Sequence, residues 1–320
     1  MHRWTNPAET PAELRPSVVT LGNFDGVHRG HKAVLRALVD AGHERGLPSV
    51  AVTFDPHPVA VLFPERAPAV IAPDGIRDEL IAQTGVDGLL VMEFTRSFAQ
   101  LTPEDFVKHV FVDALEAQAV VVGSDTRFGV RNSGDVETLR QLGTTYGFTV
   151  IVLADVGDSG RWSSSQVRAA IASGDVATAA SILGRPHRNV GTVVHGHHRG
   201  RALGFPTANL GPESLGLVPA EGVYAGWFTR LDLPDDAPDR TLPCAISVGT
   251  NPTFETDERR TVEAYVLDRD DLDLYGETVM VEFVEHIRTM EKFDSVEELL
   301  VAMADDVARS KVALTRIVPT

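Results

Sequence analysis

The chain has 320 residues, enough for about two domains at roughly 150 residues each. Hydrophobic residues make up 43% and charged residues 23%, an ordinary globular composition that argues against wholesale disorder. Against 29 Lys and Arg stand 45 Asp and Glu, a net charge of −16, which disfavours non-specific binding to nucleic acid or anionic membrane. Anionic small molecules must then be received by local donors or by a divalent cation. The single cysteine, Cys244, excludes an internal disulfide, a cysteine-based zinc site and an iron–sulfur cluster. No apolar run reaches the roughly 18 residues of a membrane span. Met1 to Pro16 lacks the apolar core of a secretory signal, so a soluble cytoplasmic protein is expected.

The first half alternates strand-like and helix-like segments. Ser17 to Leu21 reads as a strand, and Gly30 to Arg45 as a helix with Val34, Leu35, Leu38 and Val39 on one face. Ser49 to Phe54 is a second strand, Ile76 to Thr84 a helix, and Gly88 to Phe94 a strand. Thr102-Pro103-Glu104-Asp105 is a capping box that opens a helix through about Leu115. Ala117 to Val122 is a strand, Asp135 to Tyr146 a helix and Phe148 to Ala154 a strand; helices follow at Ser164 to Ser173 and Val176 to Leu183. This alternation predicts an α/β fold with a parallel sheet covered on both faces. Gly and Pro near Gly184 to Arg188 mark a boundary, so the expected domains are residues 1–186 and 187–320.

The second half reads differently. Strands are expected near Val190–His195, Gly222–Arg230, Leu242–Val248, Thr261–Leu267 and Thr278–His286, with turns at Gly196, Gly211-Pro212, Pro234 to Pro238 and Asn251-Pro252. A final helix starts at Ser295, with Glu298 completing a capping box and Val296, Leu299, Leu300, Met303 and Val307 on its inner face. A small β-barrel closed by a C-terminal helix follows from that order.

The densest motif is Gly22-Asn23-Phe24-Asp25-Gly26-Val27-His28-Arg29-Gly30-His31, between the first strand and the first long helix. Ligands of open α/β sheets bind at the carboxyl ends of strands, and a helix N-terminus there offers N–H groups and a positive dipole end to phosphate. His28 and His31 can add imidazole donors. Alone, two histidines on such a turn are ordinary surface or capping residues. A zinc site from His28, His31 and His57 lacks a paired acidic or cysteine ligand.

With its neighbours, this motif resembles the first motif of the nucleotidyltransferase superfamily, and most closely the adenylylating module of prokaryotic bifunctional riboflavin kinase/FAD synthetases. Thr53-Phe54-Asp55-Pro56-His57-Pro58, Val122-Gly123-Ser124-Asp125-Thr126-Arg127-Phe128-Gly129 and Arg161-Trp162-Ser163-Ser164-Ser165-Gln166-Val167-Arg168 resemble its second, third and fourth segments. The resemblance implies that Gly22, Asn23, Phe24, Asp25, Gly26, His28, His31, Arg161, Ser164, Ser165 and Arg168 meet ATP or phosphate, with His28 and His31 as catalytic donors. It implies flavin contacts at Asp55, His57, Pro58, Asp125 and Phe128. Ser124 and Thr126 depart from the family, which has an acidic residue and an aromatic there.

In the second half, Gly200-Arg201-Ala202-Leu203-Gly204-Phe205-Pro206-Thr207-Ala208-Asn209-Leu210 places a hydroxyl and an amide two residues apart, on one face of an extended segment. Such oxygens suit Mg²⁺ beside ATP phosphates, although an ordinary turn would look the same. The segment resembles the riboflavin kinase loop. Gly222-Val223-Tyr224-Ala225-Gly226, Ser247-Val248-Gly249-Thr250-Asn251-Pro252-Thr253-Phe254, Val262-Glu263-Ala264-Tyr265-Val266-Leu267 and Asp273-Leu274-Tyr275-Gly276 resemble its later segments. That resemblance implies ATP contacts at Gly204, Pro206, Thr207 and Asn209, Mg²⁺ on Thr207 and Asn209, and the catalytic base at Glu263. Arg288 and Glu291 resemble its flavin-side loop. His195, His197 and His198 read as a polar turn, and the cluster Asp268, Asp270, Asp271 and Asp273 as a solvated turn without EF-hand spacing.

The implied enzyme converts riboflavin and ATP to FMN, then FMN and ATP to FAD and pyrophosphate, with Mg²⁺. Its partners would be these small molecules, with no nucleic acid, no membrane and at most weak self-association. Two other readings stay open: a kinase whose adenylylating module is impaired at Ser124 and Thr126, and a flavin-binding regulatory protein without turnover.

Overall fold

The computed structural model describes residues 1–154, 162–196, 204–211, 216–250 and 260–315. Arg161, the histidines at 197 and 198, the residues of the loop at 200–203 and the Asn251-Pro252 turn lie outside the described residues. The chain divides into two units, Met1–Ser163 and Ser164–Thr320.

In the first unit, strands β1 (His2–Trp4), β2 (Val18–Leu21), β3 (Ser49–Asp55), β4 (Gly88–Glu93), β5 (Ala119–Gly123) and β6 (Thr149–Leu153) form one sheet in the order β1-β4-β3-β2-β5-β6. Every pairing is parallel. Val18, Val19, Val50, Val52, Val120 and Val121 have no exposed surface, as expected of central parallel strands covered on both faces. Helices α1 (Arg29–Arg45), α3 (Asp74–Ala82), α4 (Pro103–Phe106) and α5 (Val136–Tyr146) bury residues in this unit, whereas the short α2 (Pro58–Leu62) buries none. Helix α4 begins at Pro103–Phe106 and continues to Ala114 with π-helical turns. Thr102 caps it by accepting from the Asp105 N–H at 3.1 Å, as its sequence predicts. Sequence order reverses direction in space between β2 and β5, so their carboxyl ends open a crevice.

The second unit holds a closed antiparallel barrel, in the order β10-β11-β8-β7-β12-β9. Its strands are β7 (His187–Val194), β8 (Ala208–Leu210), β9 (Gly222–Arg230), β10 (Thr241–Thr250), β11 (Arg260–Val266) and β12 (Thr278–Arg288). Tyr224, Phe228, Ile246, Val262 and Phe283 fill it. Helices α6 (Ser164–Ala172) and α7 (Val176–Leu183) belong to this unit, and Val176 joins the barrel core. The C-terminal helix, Val296–Leu314, is capped by Ser295 accepting from the Glu298 N–H at 3.1 Å.

Nucleotidyltransferase-like sheet and barrel with C-terminal helix are thus the architecture the sequence implied. Three elements were not read from it: β1, α2 and β8. The inner face of the last helix also differs. Val296 is 54% exposed, and Asp306 and Ser310 are buried instead. Asp306 is drawn inward by the Arg288 guanidinium, whose Nε and Nη2 each donate to it at 2.8 Å. Among the described residues no helix is long and apolar enough to cross a membrane.

His187 sets a pH limit on the barrel. Its Nε2 donates to the Leu217 carbonyl at 2.6 Å, and burial pushes its pKa down from 6.5 to about 4. The depressed value makes the neutral ring the folded form. Above pH 6.5 the contribution to stability is complete; as pH falls towards 4 the unfolded chain takes up a proton that the fold refuses. Urea unfolding at pH 7, 5.5 and 4.5 should show a stability loss reaching about 3 kcal/mol from this group. His187→Gln, which keeps a donor for Leu217, should flatten that loss.

Candidate active sites

The loop from Gly22 to Val27 leaves the carboxyl end of β2 and feeds α1 at the mouth of the crevice. Its backbone is held out of the common regions: Phe24 has φ 51° and Val27 φ 40°. Left-handed conformations cost such residues on the order of 1–3 kcal/mol each, so other contacts must hold them. Phe24 and Val27 are buried. The Asp25 carboxylate is also buried and accepts from the Ile71 N–H at 3.0 Å and the Ala72 N–H at 3.1 Å. Asp25 therefore braces the loop from behind, and Phe24 packs with it, while Asn23 stays exposed.

His28 caps α1. Its Nδ1 accepts from the His31 N–H at 3.3 Å. An accepting Nδ1 carries the lone pair, so the ring proton is assigned to Nε2, which is left as a donor. The His31 ring stacks on it, with centroids 3.7 Å apart, and meets the edge of Phe24 at 5.3 Å. Gly30 makes room: a Cβ there would lie 3.0 Å from His28 Cε1. Arg29 lies over the Trp162 ring at 5.3 Å. Two stacked imidazoles thus stand at the N-terminus of a 17-residue helix.

The other predicted contacts of the first unit follow the carboxyl ends of its strands. Asp55 ends β3 and is exposed; His57 caps α2, accepting from the Val59 N–H at 3.2 Å, and Pro58 is its first residue. Ser124 and Asp125 are exposed just past β5. Phe128 is 6% exposed and packs in the sheet core with Phe106 at 6.0 Å. Sequence reasoning passed over Phe54, Phe94 and Phe98, a partly exposed aromatic group at this edge with centroids 5.3–5.7 Å apart. Phe54 among the last residues of β3, Phe94 just past β4 and Phe98 in the loop after it were the available signal. Ser164, Ser165 and Arg168 lie in the first turns of α6, in the second unit.

The second site lies in a cleft of about 940 Å³ on the barrel, lined by Gly204, Pro206, Thr207, Asn209, Ser247 and Glu263 among others. Asn209 on β8 stands opposite Glu263 on β11, and Ser247 on β10 stands opposite Glu263 from the other side. Thr207 Oγ1 donates to Glu263 Oε2 at 3.2 Å, and Asn209 Nδ2 donates to the Thr207 carbonyl at 3.4 Å. With its proton directed at Glu263, Thr207 Oγ1 has only lone pairs to offer the cleft. Asn209 Oδ1 is likewise left as an acceptor. Two neutral hard oxygens beside a carboxylate fit Mg²⁺ carried in on phosphates. Ser247 was missed as a cleft residue; its register opposite Glu263 emerges only from strand pairing.

Arg288 sits at the end of β12. Its guanidinium is bound to Asp306 and Thr289 and lies over Phe293 at 5.5 Å; the Asp306 bonds push its pKa further up. Glu291 is exposed. The acidic turn after β11 is partly neutralised, with Asp271 on Arg269 at 2.6 Å and Asp268 on Lys311 at 2.7 Å. The ring of His195 lies tilted against that of Tyr275, with centroids 4.0 Å apart.

Comparison with known proteins adds to this geometry. A family model described as FAD synthetase matches residues 10–167, and one described as riboflavin kinase matches residues 183–314. The chain is 37% identical over 316 residues to the bifunctional riboflavin kinase/FMN adenylyltransferase of Escherichia coli K12, covering 97% of each. It is 33% identical to the protein of that name from Bacillus subtilis, covering 90% of this chain and 89% of that one. A solved structure from Streptococcus pneumoniae, titled a macrolide-efflux protein, is 33% identical, covers 97% of this chain and 98% of that one, and superposes with a TM-score of 0.84.

The bracing role of Asp25 is directly measurable. Asp25→Ala leaves two buried N–H groups unpaired, at about 1–3 kcal/mol. The Ile71 and Ala72 amides should then exchange with solvent at least tenfold faster, with amides of the barrel unchanged.

Proposed function

The chain belongs to the bifunctional riboflavin kinase/FMN adenylyltransferase family, and on that premise we propose how its residues divide the two reactions. The enzyme phosphorylates riboflavin with ATP, giving FMN and ADP, and transfers the adenylyl group of a second ATP to FMN, giving FAD and pyrophosphate. The observation that carries the division of labour is the Thr207–Glu263 hydrogen bond in the barrel cleft, with Asn209 in register beside it.

In the kinase step, the terminal ribityl hydroxyl attacks the γ-phosphorus and the bond to ADP breaks. That hydroxyl is a weak nucleophile, and Glu263 accepts its proton as the new bond forms. The Thr207 hydroxyl keeps the carboxylate turned into the cleft. Thr207 Oγ1 and Asn209 Oδ1 would hold Mg²⁺, which would offset charge on the ATP phosphates. Gly204 and Pro206 line the same cleft and would border the nucleotide.

In the adenylyl step, an oxygen of the FMN phosphate attacks the α-phosphorus and pyrophosphate leaves. The attacking phosphate is already ionised near neutral pH, so alignment and charge dispersal are the task. His28 Nε2–H, His31 and the N-terminal amides of α1 supply fixed donors. Ser164, Ser165, Arg168 and Arg161 supply the rest, as the motif implies, with Gly22, Asn23 and Gly26 forming the loop wall. Asp55, His57, Pro58 and Asp125 border the flavin; Phe128 backs that surface from the core. In the barrel, Glu291 flanks the flavin and Arg288 acts through Asp306. A cytoplasmic setting, where riboflavin and ATP are both available, completes the proposal.

Separate assays from riboflavin and from FMN test it. Glu263→Gln should lower FMN formation about 10²-fold or more while FMN-to-FAD conversion persists. His28→Asn, which retains a good N-cap but loses the Nε2 donor, should do the reverse. Equal loss of both reactions in either folded variant would refute the division.

A further inference from the structure

The last link between β2 and β3 is made by a side chain. The backbone ladder between them ends where the Gly22 N–H donates to the Val52 carbonyl at 3.1 Å. One residue further on, the Asn23 carbonyl accepts from Thr53 Oγ1 at 3.2 Å. Thr53 lies within β3 and has no exposed surface, whereas Asn23 is exposed. Thr53 opens the segment Thr53 to Pro58, yet it is buried too deeply to touch a ligand itself. A hydroxyl anchored in the sheet thus fixes the peptide between Asn23 and Phe24, where the chain departs for α1.

The other side of that peptide is where the consequence lies. The 23–24 bond is trans, so its C=O and N–H point in opposite directions. With the carbonyl drawn towards β3, the Phe24 N–H faces away from β3. In the sheet order, β5 and the crevice lie on that side of β2. Among the described residues no acceptor takes this N–H. The same orientation keeps Phe24 at φ 51°, a conformation that a residue with a Cβ rarely adopts. Turning the peptide over would return φ to the common region and swing a carbonyl oxygen, an acceptor, towards the crevice. The loop therefore has a local reason to turn, and the Thr53 hydroxyl opposes it. Packing opposes it too: Phe24 is 2% exposed, and a Cβ on Gly22 would lie 2.9 Å from its Cζ.

We propose that Thr53 is a positioning residue for adenylyl transfer: its buried hydroxyl sets the Asn23–Phe24 peptide so that the Phe24 N–H donates to a phosphate oxygen of ATP. The inference rests on the reading of the Gly22–Val27 loop as a phosphate site. Thr53, Asn23 and Phe24 all lie in the first unit, Met1–Ser163.

The test uses the full-length chain with Thr53→Val and Thr53→Ser, and His28→Asn as reference. Valine keeps the branched shape that suits a buried strand and removes the hydroxyl; serine keeps the hydroxyl and loses the methyl group. FAD formation from FMN is followed with ATP and FMN varied in turn, alongside FMN formation from riboflavin. Thr53→Val is expected to lower kcat/KM for ATP in FAD formation by about tenfold, the scale of one lost hydrogen bond. KM for FMN and the rate of FMN formation should stay close to wild type, and Thr53→Ser should restore kcat/KM for ATP. If Thr53→Ser falls as far as Thr53→Val, or if KM for FMN rises together with that for ATP, the residue matters only for packing and the proposal is overturned. It is equally overturned if His28→Asn lowers FAD formation and Thr53→Val does not; the loop then remains a phosphate site without this device. If His28→Asn itself leaves FAD formation intact, the reading of the loop fails, and the proposal falls with it.

Discussion

An acidic protein that handles ATP must overcome its own charge. At −16, the mean field of the chain repels a triphosphate. Binding therefore depends on donors fixed in place before the ligand arrives, and both units are built around that constraint. In the first, the donors are imidazole and backbone N–H groups at one helix end. In the second, the protein offers neutral oxygens, Thr207 Oγ1 and Asn209 Oδ1, which suit a cation bound to the phosphates. Neither solution needs a basic surface, so the overall charge can stay strongly negative.

Fixing donors in place has a structural cost, met by buried polar bonds. Asp25 holds a strained loop by two backbone amides. His187, Asn189, Arg260 and Tyr224 hold the four consecutive carbonyls of Leu217, Val218, Pro219 and Ala220. Arg288 and Asp306 tie the last helix to the barrel edge. Each is a polar group taken out of water and satisfied by the protein, and losing one partner strands the other. These contacts make the sites rigid without themselves touching a substrate.

Much of this was legible in the sequence because it is local. Helix caps at Thr102 and Ser295, the alternation of strand and helix, and the His28-to-His31 turn are all set by residues within a few positions of one another. Glu263 and Thr207 could be singled out by type and by resemblance. What was not legible is non-local. The sequence does not reveal that Asp25 faces Ile71, that Ser247 stands beside Glu263, or that Phe128 turns into the core. The inner face of the last helix was misread because hydrophobic spacing favoured Val296, whereas Arg288 pulls the polar Asp306 inside. Strands of three residues, such as β1 and β8, carry too few side chains to show a period; pairing with longer neighbours creates them.

The central claim is that one chain performs two consecutive transfers at two separate sites. It is tested most directly by a chromatographic time course of riboflavin, FMN and FAD with the purified protein, ATP and Mg²⁺, run in parallel from riboflavin and from FMN. The account predicts FAD from both starting points, with FMN rising and then falling when riboflavin is supplied. FMN that accumulates without FAD, or a folded protein that binds flavin and consumes no ATP, would contradict it.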